Sequence, residues 1–250
     1  MRCTMRRMAT LTLCASVAVG TLFWKAQQTT HADEPAGTTT DQATTAEEER
    51  FDLVVREDIF GGFNGDEAAM KRGLEACDAA IAKNPKHAEA LVWRGAGRVF
   101  LAGQAFQKQD MVKGMQMWSS GLQDMDKAVE LKPEDIAVRI PRAAVLMPAS
   151  AGAPDFMAKP LLVKAKADFE FIYKRQEKVL DKLSEHSRGE LRMGLADVYR
   201  RLGEIEQSRK QLEAIKAELP ETNYADRAEK WLATDAQVKL AHTCIGCHEG

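Results

Sequence analysis

Three side chains that can act on one ligand stand together in "HTCIGCHEG", residues 242–250: Cys244 and Cys247 are three residues apart, and His248 follows at once. On a helical turn, residues three and four apart face the same way, so both thiols and the imidazole can address one planar group. Gly246, between the cysteines, leaves room for a large ring to approach the backbone.

Cys-x-x-Cys-His is the attachment signal of haem c. With haem c bound, each thiol would add across one vinyl group and His248 would coordinate the iron through an imidazole nitrogen. The string resembles the attachment site of c-type cytochromes. That resemblance implies one covalent haem c bound by Cys244, Cys247 and His248, with attachment outside the cytoplasm. It covers the string alone. In the common cytochrome fold the motif lies near the start of the domain and a downstream Met is the second axial ligand, whereas here only Glu249 and Gly250 follow His248. The haem pocket is then missing, supplied by the rest of the chain, or supplied by another chain.

Other chemistries compete for the same residues. A Cys244–Cys247 disulfide closes a ring too small to stabilise much. A thiol redox pair belongs in a βαβ context, which this chain does not suggest. A closed zinc site needs four ligands, and His242 and His248 crowd one short segment. For a distal haem ligand, His242 lies about 9 Å along the same side of a continuous helix and cannot cross to the opposite face. His87, His186, Met147 and Met193 are further candidates, the histidines reading as turn residues and the methionines as core filler. Met111, Met115 and Met117 in "MVKGMQMW" raise a copper site, but no histidine accompanies them and packing is the better reading. Arg139 and Arg142 suit propionates or a partner carboxylate, with solvated surface as the default.

The elements that position this tail begin with an export segment. Arg2, Arg6 and Arg7 precede an apolar run from Met8 to Trp24, after which the chain turns polar. That is the order of a secretory signal peptide, residues 1–32, with Ala32 as the cleavage position; uncleaved, the run is near the length of a membrane anchor. Leu13 before Cys14 argues against lipid attachment, and "RRMATLTL" lacks the rest of a twin-arginine signal. The expected location is the bacterial periplasm, soluble or anchored in the inner membrane. Residues 33–47, rich in Thr, Ala, Asp and Glu, read as a flexible linker.

With 35 basic and 37 acidic residues in 250, the charge balance recommends no nucleic-acid partner. Past the export segment only Cys77, Cys244 and Cys247 remain, too few for a disulfide framework. Cys77 sits on an apolar stripe and reads as a small buried hydrophobe. Long Ala-, Leu-, Met-, Lys- and Glu-rich stretches with few β-branched runs favour an all-α chain.

Within that chain is a repeat. "GLEACDAAIAKNP" from Gly73 aligns without a gap on "GLQDMDKAVELKP" from Gly121, and Arg94 and Ala96 then fall on Arg142 and Ala144. Each copy predicts a helix with one apolar stripe and a terminating proline, so each must lie against a neighbour. The clearest unit is Gly189 to Pro220, where Leu195, Ala196, Tyr199, Gly203 and Pro220 fall at the spacings of a tetratricopeptide repeat. The unit resembles that family. It departs from it at Arg192, where the family has Trp, and at Ser208, where it has Ala. The resemblance implies stacked antiparallel helical hairpins, a tetratricopeptide-like solenoid over residues 48–220 that binds a protein partner. "ALVWRGAGRVFLAG", from Ala90, reads as a first helix whose partner runs from Met111 to Leu131. "MPASAGAPDFMAKP", Met147 to Pro160, reads as a connection that breaks the helices around it. Residues 221–250 read as a final helix, from Tyr224 to Leu240, and the haem attachment tail.

Two functions follow. One is an exported helical-repeat protein carrying one haem c in electron transfer or redox-complex assembly. The other is a protein-interaction scaffold whose terminal motif is vestigial or binds metal. No acid-base constellation recommends an enzyme.

Overall fold

The computed structural model describes residues 50–234. The expected export segment (residues 1–32) and linker (33–47), and His242, Cys244, Cys247 and His248, lie outside the described residues. The described chain is all helical: α1 Phe51–Phe63, α2 Glu67–Lys83, α3 Ala88–Gln107, α4 Met111–Leu131, α5 Ile136–Ala151, α6 Asp155–Gln176, a short 3-10 segment Glu177–Lys182, α7 Glu185–Arg201, α8 Ile205–Glu218 and α9 Asn223–Ala233. Six of the helices start on a side chain that accepts from the first turn: Asp66, His87, Asp110, Asp135, Ser184 and Thr222. These caps satisfy amides that have no partner inside the helix.

The helices form four antiparallel hairpins, α1/α2, α3/α4, α5/α6 and α7/α8, with α9 packed on the last. The first helices of successive hairpins also touch, α1 on α3, α3 on α5 and α5 on α7. Three of the four turns are alike. Gly65, Gln109 and Gly203 have φ of 99°, 62° and 82°. The next amide, of Asp66, Asp110 or Glu204, then donates to a carbonyl five residues back, on Gly61, Ala105 or Tyr199. A left-handed residue closing a helix in this way is the geometry that glycine favours. The α5/α6 turn differs because Pro154 occupies the donor position and has no N–H.

This turn also corrects the sequence reading. The helix-breaking connection expected over Met147 to Pro160 shrinks to residues 152–154, since Pro141 and Pro148 lie inside α5 and Pro160 inside α6. A proline removes one ladder bond and crowds the preceding turn, a cost that tertiary packing can override. Here Leu146, Met147, Ala158 and Leu161 around these prolines are all buried. Of the final helix, Asn223–Ala233 is described, with Thr234 after it extended at φ −97° and ψ 142°; the rest of the stretch expected to reach Leu240 lies outside the described residues.

The sequence repeat is also a repeat of polar contacts. Arg94 of α3 forks Asp124 of α4 through Nε and Nη2, each at 2.8 Å, and sends Nη1 to Asp78 of α2 at 2.9 Å. Arg142 of α5 forks Asp168 of α6 at 2.7 and 2.8 Å, and sends Nη1 to Asp126 of α4 at 3.0 Å. Arg192 of α7 forks Glu218 of α8 at 2.8 and 2.6 Å. Each hairpin from the second to the fourth is therefore clipped by one arginine, whose planar fork matches a carboxylate. Arg139 adds a bond to Asp168 at 2.7 Å. The solvated reading of Arg139 and Arg142 is thereby overturned: their carboxylate partner is internal, Asp168 is fully buried and Arg142 nearly so. Burial acts to lower the pKa of Arg142, and the bonds from Asp168 outweigh it, so the value is raised.

One apolar core runs from Val55 and Ile59 in α1 through to Leu195 and Val198 in α7. A second, made by Met193, Ala196, Leu212, Ile215, Tyr224 and Trp231, joins the other side of α7 to α8 and α9. Cys77 is fully buried, and that burial, then the nearby Asp78, pushes its thiol up to about 12. The reading of Cys77 as a hydrophobe holds.

Candidate functional site

An open concavity collects aromatic side chains near the ends of the first helices. Phe60 and Phe63 close α1, Phe100 and Phe106 stand in the last turns of α3, and Trp118 comes from α4. α5 contributes Val145, Pro148 and Ala149, and the irregular 152–154 turn completes the wall. The rings contact one another: Phe63 and Phe100 have centroids 4.9 Å apart, and Phe60 meets Phe63 edge-on at 5.8 Å. The cavity is about 740 Å³ and mostly apolar, within the range of small-molecule and cofactor sites. It opens beside the one hairpin turn that cannot make the recurrent backbone bond, because Pro154 is part of its lining.

One face of α4 supplies two of the groove's three methionines, the third being Met157 of α6. Met111, Met115 and Trp118 recur at the spacing of a single helix face, and all three line the groove. Met111 is 58% exposed and Met115 48%. The packing expected for the methionine cluster therefore fails for these two, which border a cavity open to solvent. Met117 lies two residues round the helix, does not line the groove and is half-buried.

The other residues singled out from sequence have structural roles. His87 is the N-cap of α3, its Nδ1 accepting from the amide of Ala90 at 3.3 Å, and its ring lies 4.7 Å from that of Phe51. His186 stands in the first turn of α7 with Nδ1 3.0 Å from the Tyr224 hydroxyl. Met147 and Met193 are buried in the two cores. Ser208, where the resemblance expects Ala, is buried and donates to the carbonyl of Ala196 at 2.8 Å, so its hydroxyl is satisfied across the α7/α8 crossing. No group of three His, Cys, Asp or Glu side chains among the described residues is placed to hold a metal ion. No helix among them is long and apolar enough to cross a membrane.

Sequence reasoning missed the groove. Its signal is the clustering of Phe60, Phe63, Phe100 and Phe106 in the last turns of α1 and α3, in a chain with only nine Phe. Each looks like ordinary core until the helices are stacked.

Comparison with known proteins returns no family model, no curated relative and no solved structure that matches this chain.

Proposed function

We propose that the protein is an exported helical-repeat carrier of one covalent haem c, acting in electron transfer or in assembly of a redox complex in the bacterial periplasm. The observation that carries this reading is the string Cys244-Ile245-Gly246-Cys247-His248, in a chain whose first residues have the order of an export signal. Cys244 and Cys247 are read as the two thioether attachment points and His248 as the iron ligand. Haem held in this way supplies a one-electron couple at the chain's C-terminal tail. The tetratricopeptide-like hairpins form the body on which the tail is mounted and offer the surface to a protein partner.

The donors in the described body agree with one haem attached at the tail. Cys77, buried and with its thiol pushed up to about 12, is unsuited to attack a vinyl group, which needs a thiolate. The apolar groove, with the thioethers of Met111, Met115 and Met157, has the chemistry of a haem-facing wall.

The test is a reduced pyridine haemochrome spectrum and an intact mass, on protein made in a host with periplasmic haem-attachment machinery. The expected result is one haem per chain, with the mass of the processed protein raised by one haem. A colourless product of unmodified mass overturns the reading and leaves the interaction scaffold, whose terminal motif is vestigial or binds metal.

A further inference from the structure

We infer that the groove between α1, α3, α4 and α5 is the seat of the chain's own C-terminal haem, and that the Met115 thioether is its second axial ligand. This rests on the haem reading above. Three observations outside the attachment string point to it.

The first is where the described chain ends. Arg200, in the last turn of α7, donates to the carbonyls of Trp231 and Thr234 at 3.3 and 3.4 Å, so α9 finishes against the C-terminal end of α7. The next residue, Arg201, donates to the carbonyl of Met147 in α5 at 2.9 Å. Pro148 and Ala149, immediately after Met147, are part of the groove wall. The tail thus departs beside the end of the hairpin stack on which the groove opens.

The second is reach. His248 lies 14 residues beyond Thr234, which at full extension spans roughly 46–50 Å. Passing from α7 over α5 to the groove is about two helix spacings, on the order of 20 Å. The tail covers that distance with slack enough to turn.

The third is the donor set. Haem presents an apolar ring and can take a second protein ligand on the face opposite His248. His87 and His186 are engaged in a helix cap and a hydrogen bond with Tyr224, and Met147 and Met193 are buried away from any opening. Three methionines line the groove, Met111 and Met115 of α4, both exposed, and Met157 of α6, which is half-buried. Of these, Met115 is the central one, flanked on the same helix face by Met111 and Trp118 among the aromatic rings of α1 and α3. A second copy or a foreign apolar segment also fits an apolar groove, but neither explains thioethers at its centre.

The experiment is the absorption spectrum of the ferric full-length holoprotein and its Met115→Leu and Met111→Leu variants, with the midpoint potential of each. The far-red charge-transfer band of thioether-ligated ferric haem is expected in the parent and in Met111→Leu, and is expected to disappear in Met115→Leu. The potential should fall only in Met115→Leu, because a thioether ligand raises it. Leu preserves the volume and the side chain is half in solvent, so the melting temperature should not change; a merely structural methionine would leave band and potential untouched. Haem attached with no such band in the parent, or with a band that survives Met115→Leu, overturns this inference and leaves the haem assignment standing. A band lost in Met111→Leu instead overturns the choice of Met115. Absence of any haem overturns both.

Discussion

Gly95 and Gly121 face each other across the crossing of α3 and α4 so closely that neither can carry a side chain. A Cβ on Gly95 would lie 2.6 Å from the carbonyl oxygen of Gly121, and one on Gly121 would lie 2.8 Å from that of Gly95. The obstacle on both sides is backbone, which cannot rotate aside. Gly95→Ala is expected to force the helices apart and cost about 1–3 kcal/mol as overpacking, outweighing the ~1 kcal/mol gained in helix propensity. Gly103→Ala, in the same helix but with nothing within 4 Å of its Cβ, should stabilise by ~0.5–1 kcal/mol. Urea unfolding of the two variants checks this; destabilisation of equal size in both would refute the close-approach argument.

The arginine clips should differ in worth with their burial. Asp168 is fully buried between Arg139 and Arg142. Asp168→Ala removes the buried carboxylate both share, leaving Arg142 with Asp126 and Arg139 with the Pro133 carbonyl, and is expected to cost about 3 kcal/mol. Asp58→Ala breaks the exposed pair with Arg72, which solvent screens, and should leave the denaturant midpoint nearly unchanged. Denaturant midpoints for the two variants rank them, and a loss in Asp58→Ala as large as that in Asp168→Ala contradicts the assignment.

Cys77 makes stability fall in alkali. Burial raises its thiol from 9.0 to about 12, so above pH 9 the unfolded chain releases a proton that the folded chain keeps. The unfolded state then binds fewer protons, and the stabilisation, full below pH 9, is lost as pH rises from about 9 to about 12. The slope from this one group approaches ~1.4 kcal/mol per pH unit. Cys77→Ala should be less stable at pH 7 through the lost packing, yet show a shallower decline between pH 9 and 11. An identical decline in both proteins would show that the thiol does not contribute.

Attachment chemistry predicts a graded loss at the tail. Cys244→Ala and Cys247→Ala singly leave one thiol able to form a thioether, so covalent haem should persist at reduced yield with a shifted haemochrome maximum. The double variant should carry none that survives acid-acetone extraction. Because Cys244 and Cys247 lie beyond α9, the far-ultraviolet circular dichroism should be unchanged; full covalent haem in the double variant would remove these residues from the site.

The helical class, the repeat between Gly73 and Gly121 and the α7/α8 turn at Gly203 were legible because each is a local pattern. Apolar spacing, a terminating proline and a glycine at positive φ act within a few residues. The same local rules misread Met147 to Pro160, where buried contacts on both sides hold Pro148 and Pro160 within helices. They also misread Arg142. Its match to Arg94 was visible, but its partner Asp168 is 26 residues away, and neither spacing nor charge reveals that the pair is buried.

What the sequence alone determined, then, is what spacing along one segment can encode: which stretches are helical, which hairpin repeats which, and that Cys244, Cys247 and His248 fall within one five-residue string. Tertiary structure decided what depends on meetings between segments. Stacking the hairpins gathers Phe60, Phe63, Phe100 and Trp118 from three helices into one apolar groove. It leaves Met111 and Met115 open to solvent while burying Met147 and Met193. The physical reason is that burial and charge pairing belong to surfaces brought together by packing, and side chains of the same type receive opposite fates according to which neighbour arrives.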